Sequence, residues 1–333
     1  MPLTVPDAAS HPAERARAYA DLADLLLLRH RATGFSFLPR QPVHSLLSGR
    51  HASRLRGRGL SFEELRGYVQ GDDTRAIDWR ATARLAKPTI RVYTEERDRP
   101  VVLLIDQRPP MFFGSRRATK SVAAAEAAAL AAWRVTALGD RVGAVVLSSS
   151  GIAEIRPGSR ERAVRRILDA TIRANHLLPA PDGGADTLGH LNEGLRRAAR
   201  MAPHDGLVCL ISDGAGADGE TAERVTTLTA HTDVVAVFVY DPLEESLPDL
   251  GRVVVADGER RIEVETGSRG LRERFAQAFA ERRSRLEAFS RKRAIPVLPV
   301  RTDRDVAEQI RETLGRRRDG GRRSASGTGG PMR

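Results

Sequence analysis

The chain has 333 residues, 41% of them hydrophobic and 5% aromatic, so it can bury a sizeable core built mainly from Leu, Val, Ile and Ala. The single cysteine, Cys209, excludes an internal disulfide and a cysteine-based zinc site. A net charge of +11 invites a nucleic-acid reading, but only three of the cations are lysines (Lys87, Lys120, Lys292), an arginine bias that a GC-rich coding sequence explains more simply.

Residues 14–32, ERARAYADLADLLLLRHRA, place apolar side chains at helical spacing and predict a first helix. The run LADLLLL at 22–28 falls well short of the ~20 apolar residues of a membrane span. The opening MPLTVPDAASHPAER lacks the basic-then-apolar order of a secretory signal, so a cytoplasmic location is expected. From Gly34 to Arg99 the pattern is irregular, punctuated by Gly and Pro, with β-like pieces such as PTIRVYTEE. It predicts a small lobe ahead of a main domain.

From Pro100 the rhythm changes. VVLLID is a continuous apolar run, as expected of a strand buried on both faces. Residues 120–138 are an Ala-rich helix that Gly139 ends. RVGAVVLSS and GIAEIRPG follow as strands, the second as a hairpin partner. Residues 160–173 and 188–201 read as helices. LVCLIS at 207–212 is a buried strand in which Cys209 is a small hydrophobe rather than a nucleophile. Then come helix ETAERVTTLTAH, strand DVVAVFVYD and an exposed hairpin over 252–265. A long amphipathic helix, the strand IPVLPVRT and a last helix complete the pattern. Alternating strands and helices predict an α/β fold: a doubly wound, mostly parallel sheet with helices on both faces. The expected division is a helix at 1–33, the small lobe at 34–99, the α/β domain at 100–315 and an Arg/Gly-rich tail at 316–333. The tail has six arginines against one aspartate and is expected to be disordered.

In such sheets, functional groups gather beyond the carboxyl ends of the strands. Three strands end there in aspartate: Asp106, Asp213 and Asp241. Two neighbouring carboxylates can hold a hard cation such as Mg²⁺. In its order of elements the chain resembles the von Willebrand factor A fold, whose ion site reads Asp-x-Ser-x-Ser, then Thr, then Asp. That resemblance maps onto Asp106, Thr187 and Asp213. The two Ser positions, however, hold Arg108 and Pro110, and Ser115 lies too far along the loop to replace them. Proline offers no side-chain oxygen, and arginine brings a positive charge where the ion would sit. Three readings stand open. Arg108 folds back as a substitute for the ion, pairing with Asp106 and Asp213. Or a weak Mg²⁺ binds through Asp106, Thr187 and Asp213. Or Arg108 points to solvent and the aspartates only cap helices or turns.

The sharpest motif is GRGLSFEELRGYVQGDDTRAIDWRATARLAKPTIRVYTEERDRP, 57–100. Gly71 gives a turn, Asp72 or Asp73 can cap a helical turn, and Asp78 can reach Arg75 or Arg80. Trp79 is expected to be buried and to anchor the lobe on the main sheet. With Phe62, Leu65, Arg66, Tyr68, Ile77, Ala83 and Arg84, this stretch resembles the signature of the bacterial family called domain of unknown function 58, whose members carry a von Willebrand factor A-like domain. The resemblance implies a degenerate metal-ion-dependent adhesion site. It also implies an accessory role beside MoxR-type AAA+ ATPases, chaperones that assemble complexes or insert cofactors. No cofactor other than Mg²⁺ is implied.

Three functions compete. The expected one is a non-enzymatic adaptor docking a protein partner, an AAA+ ATPase or its client. No nucleophile–base pair and no His-x-x-x-His spacing stands in its way. A nucleic-acid binder would work through the Arg-rich tail and bind in a steeply salt-dependent way. A metal-dependent hydrolase would need the aspartates and an ion, and Arg108 opposes it.

Overall fold

The computed structural model describes residues 17–35, 60–69, 74, 77–95, 99–178, 189–202, 206–257, 260–293 and 295–315. Thr187, Gly71, Asp72, Asp73, Arg75 and the tail at 316–333 lie outside them. The chain forms two compact units, residues 43–98 and residues 1–42 with 99–333.

The N-terminal segment of the larger unit is less helical than its spacing predicts. Helix α1 (Leu22–Leu27) continues as a 3₁₀ turn, Leu28–Arg31. Asp21 caps α1 by accepting from the Ala23 and Asp24 N–H groups. Upstream, the backbone is committed elsewhere: the Arg17 N–H donates to Arg117 O and its carbonyl accepts from the Thr119 N–H. Buried Leu25 packs in the main core, and the Trp133 indole N–H donates to the Leu25 carbonyl at 3.2 Å.

The smaller unit holds strand β1 (Leu60–Gly67), helix α2 (Trp79–Leu85) and strand β2 (Thr89–Glu95). β1 and β2 pair antiparallel, with Phe62 opposite Tyr93 and Arg66 opposite Ile90. Asp78 caps α2 through the Arg80 and Ala81 N–H groups, and the Asp78 N–H donates to Thr89 O. Trp79 is 71% exposed, against the expectation of a buried residue. The helix is only two turns long and buries Ala81. Trp79, two positions earlier, falls on another face.

The larger unit continues with β3 (Pro100–Gln107), α3 (Lys120–Ala137), β4 (Arg141–Ser148), β5 (Gly151–Gly158), α4 (Arg160–Asn175) and α5 (His190–Met201). Next are β6 (Leu207–Ser212), α6 (Gly219–Thr229), β7 (Asp233–Tyr240) and α7 (Pro242–Glu245). The hairpin β8 (Arg252–Asp257) and β9 (Arg260–Glu265) forms its own two-stranded sheet. Helix α8 (Arg269–Arg293), β10 (Val297–Arg301) and α9 (Val306–Gly315) finish the described chain.

Six strands form one sheet in the order β10-β7-β6-β3-β4-β5, parallel except for β5, which is antiparallel to β4. Alternate residues of β3 serve two cores. Val101, Leu103 and Ile105 pack with α3, α4 and α9; Val102 and Leu104 pack with α5 and α6. Alanine lets α3 lie close against the sheet, so nearly all of it is buried. Among the described residues no helix is long and apolar enough to cross a membrane.

Candidate functional site at the carboxyl end of the sheet

From β3 the chain winds outward through β4 and β5, then returns to the other side of β3 with β6. The crevice between the ends of β3 and β6 is therefore a topological switch point, where ligands of such sheets bind. Asp106 is the penultimate residue of β3 beside it, and Asp213 follows the last residue of β6. Both carboxylates are buried, at 0% and 1% exposure.

Each is held by a cation of the chain itself. Arg108 is fully buried and grips Asp106 with two prongs, Nε to Oδ1 at 2.9 Å and Nη2 to Oδ2 at 2.7 Å. Its backbone N–H also donates to Asp106, and Nη2 donates to the Ala215 carbonyl. The Ser212 hydroxyl donates to Asp106 Oδ2 at 2.7 Å. Burial disfavours the Arg108 charge, but Asp106, helped by the more distant Asp213, outweighs it and raises the guanidinium above its usual range.

Asp213 takes a different partner. Lys120, at the start of α3, donates from Nζ to Asp213 Oδ2 at 2.6 Å and to Glu244 Oε1 at 2.9 Å. The Ala215 N–H donates to Asp213 Oδ1. Burial pushes the Asp213 carboxyl up, yet Lys120 and the Ala215 N–H hold it below the usual carboxylate range. Burial likewise pulls the Lys120 ammonium down, and Asp213 with Glu244 more than offsets it. Arg282 of α8 extends the chain of charges to Glu244 at 3.1 Å and lies over the Phe238 and Phe279 rings.

Asp241, the third strand-end aspartate, is a structural clasp. It accepts from the Ser115 N–H at 2.8 Å, the Thr302 hydroxyl at 2.5 Å and the Leu243 N–H at 2.9 Å. It ties the β3–α3 loop to β10 and α7.

A divalent cation does not fit this donor set. The carboxylate oxygens of Asp106 and Asp213 already accept from buried donors, and a guanidinium and an ammonium stand beside them. Among the described residues, no three His, Cys, Asp or Glu side chains converge as metal ligands. Arg108 pairs directly with Asp106, whereas Asp213 pairs with Lys120. Lys120, Glu244, Arg282 and Ser212 escaped the sequence reading. One signal was present: a lysine at a helix N-terminus opposes the macrodipole and calls for nearby carboxylates.

The signature residues belong to the smaller unit. Arg66 lies on β1, and the Tyr68 N–H donates to Pro88 O. Asp78 caps α2, Trp79 opens it, and Arg84 sits exposed in its last turn.

Fold and site thus define an α/β protein with a charge-compensated carboxylate pair at its switch point. The chain belongs to the family described as "Protein of unknown function DUF58", which it matches over residues 64–285. It is 31% identical over 281 residues to "Uncharacterized protein Mb1516" of Mycobacterium bovis and to "Uncharacterized protein Rv1480" of Mycobacterium tuberculosis, covering 84% of this chain and 86% of each relative. Among solved structures it is similar to the conserved hypothetical protein BatB from Bacteroides thetaiotaomicron, at 16% identity and a TM-score of 0.40 over 66% of this chain and 98% of that one.

Proposed function

We propose that the protein is a non-enzymatic adaptor whose carboxyl-end sheet face docks a protein partner without a metal ion. The observation that carries this reading is the pair of buried ion pairs, Arg108 with Asp106 and Lys120 with Asp213. Each cation sits where a hard metal would otherwise balance the carboxylates. A carboxylate held by a buried cation is a poor general base and a poor ligand, which argues against hydrolysis. The same pairs fix the loops after β3 and β6 into a rigid surface suited to recognition.

The finer assignment is a von Willebrand factor A-like domain with a degenerate adhesion site, Asp106, Thr187 and Asp213, in which Arg108 replaces the ion. The strand order, with its one antiparallel edge strand, supports it. The partner class, a MoxR-type AAA+ ATPase or its client in complex assembly, comes from the family resemblance alone.

The test is an affinity pull-down of the tagged protein from its host lysate, in parallel with Mg²⁺ and with EDTA. The adaptor reading expects an AAA+ ATPase recovered equally in both. Recovery only with Mg²⁺, lost on Asp106→Ala, would assign the site to a metal instead. Recovery of nucleic acid and no ATPase would overturn the adaptor reading.

A further inference from the structure

One face of the sheet is incompletely covered. Mainly parallel sheets are normally buried on both faces. Here Leu210 on β6 and Ala236 on β7, in mid-sheet, are only half-buried. Their neighbours on the opposite face, Cys209, Ile211, Val235 and Val237, are buried. Above Leu210 and Ala236 lies a groove of about 900 Å³. One wall comes from Leu195 of α5 and Val225 of α6. The other comes from α8, where Phe275, Phe279, Arg282 and Leu286 share one helical face.

The groove's shape and charge select its occupant. The cover missing from an α/β layer is a helix. The six residues of β6 give the groove floor a length of ~20 Å, which a helix of ~13 residues would span. Over Arg269–Arg293, α8 carries nine Lys and Arg against three Glu. Arg282 Nε is a buried donor with no acceptor among the described residues. Asp213 and Glu244, at one end of the groove, are already paired with Lys120 and Arg282. The groove-facing Thr221, Ala222 and Val225 of α6 are neutral, and the Asp218 carboxylate at its N-cap is occupied by the Thr221 N–H and the Asn192 amide. The chain's own residues 316–333 are cationic and lack an apolar run, so they do not complement α8.

We infer that the groove between α6 and α8 receives an acidic amphipathic helix of a protein partner. This inference rests on the adaptor reading and supplies the chemistry of the docked segment. Binding adds the absent helix to the layer, with its apolar stripe on Leu210 and Ala236 and its carboxylates toward the α8 arginines.

The experiment uses the full chain and three end-capped, fluorescently labelled 14-residue peptides. All share one helical leucine stripe; their remaining positions are Glu, Gln or Lys. Anisotropy is expected to show the Glu peptide binding, weakening as salt rises, with the Gln peptide about tenfold weaker and the Lys peptide weaker still. Ala222→Phe, which fills the groove, is expected to cost the Glu peptide at least tenfold in affinity with an unchanged thermal melt. Should Ala222→Phe fail to fold, Arg274→Glu on the exposed side of α8 carries the test, with a several-fold loss expected. Equal binding of all three peptides, or indifference to these variants, would overturn the inference. So would binding to phosphatidylglycerol vesicles without binding to the Glu peptide, which would mark α8 as a lipid-facing helix. Partner recovery that survives Ala222→Phe would leave the adaptor standing and remove the groove. Glu-peptide binding with no partner recovered from lysate would do the reverse.

Discussion

Lys120 bridges two acids that the sequence keeps far apart. It is 93 residues from Asp213 and 124 from Glu244. Removing a buried partner costs more than the pair itself contributes, because the remaining charges stay buried and unpaired. Lys120→Met is therefore expected to destabilise the protein by ~3–5 kcal/mol in urea unfolding. A loss below ~1 kcal/mol, the level of an exposed pair, would contradict the burial of this contact. The pH dependence has a definite sign. The folded Asp213 carboxyl lies below its unfolded value, so its contribution is present above pH ~3.9 and fades as pH falls through the folded value. The Lys120 ammonium is raised, so its contribution holds below pH ~10.4 and is lost as pH rises past the folded value. The stability gap between wild type and Lys120→Met/Asp213→Asn should stay flat between pH ~5 and ~9 and narrow on acidification below ~4. A gap that widens on acidification would reverse the assignment. At this scale Asp106, Asp213 and Arg108 were legible, because apolar runs end in them. Lys120 was hidden in an ordinary helix start, and only tertiary contact reveals its partners.

Elements carry the site by holding their ends in register. The β3–α3 loop packs tightly: a Cβ on Gly114 would lie 2.2 Å from Ala118 O and 2.6 Å from Thr119 Cα. Both are backbone atoms that cannot swing aside. Gly114→Ala should then displace the loop that carries the Ser115–Asp241 bond and the Thr119 cap of α3, at a cost of ~1–3 kcal/mol by calorimetry. An unchanged melting temperature would mean that the loop is looser than drawn. In β6, burial pushes the Cys209 thiol up to about 12. Labelling with a thiol reagent at pH 7.5 should fail on the folded protein and become complete in denaturant. Rapid labelling without denaturant would show β6 opening locally. Strands β3, β6 and β7 were legible as continuous apolar runs, and β5 as a hairpin partner. The first helix was not, because the backbone near Arg17 bonds to the Arg117–Thr119 segment, a long-range choice that periodicity does not register. Trp79 misled for a related reason. Hydrophobicity alone suggests burial, whereas the face a residue occupies on a two-turn helix depends on where its cap falls.

In the whole molecule, alternation of strands and helices was enough to predict a mostly parallel sheet with helices on both faces. The order of strands, which creates the switch point between β3 and β6, depends on pairings that a linear pattern does not contain. The groove beside α8 was equally hidden, since α8 reads as an ordinary amphipathic helix until its apolar face is found only partly covered. The central claim is that the chain's own Arg108 and Lys120, rather than a metal, balance the switch-point carboxylates. The most direct test is a Mn²⁺ titration of the full chain followed by electron paramagnetic resonance at pH 7.5. The account predicts that the free-ion signal rises in proportion to added Mn²⁺ up to about 1 mM, the weak end of the range for divalent sites. A saturable site at lower concentration, abolished by Asp106→Asn and by Asp213→Asn, would contradict it.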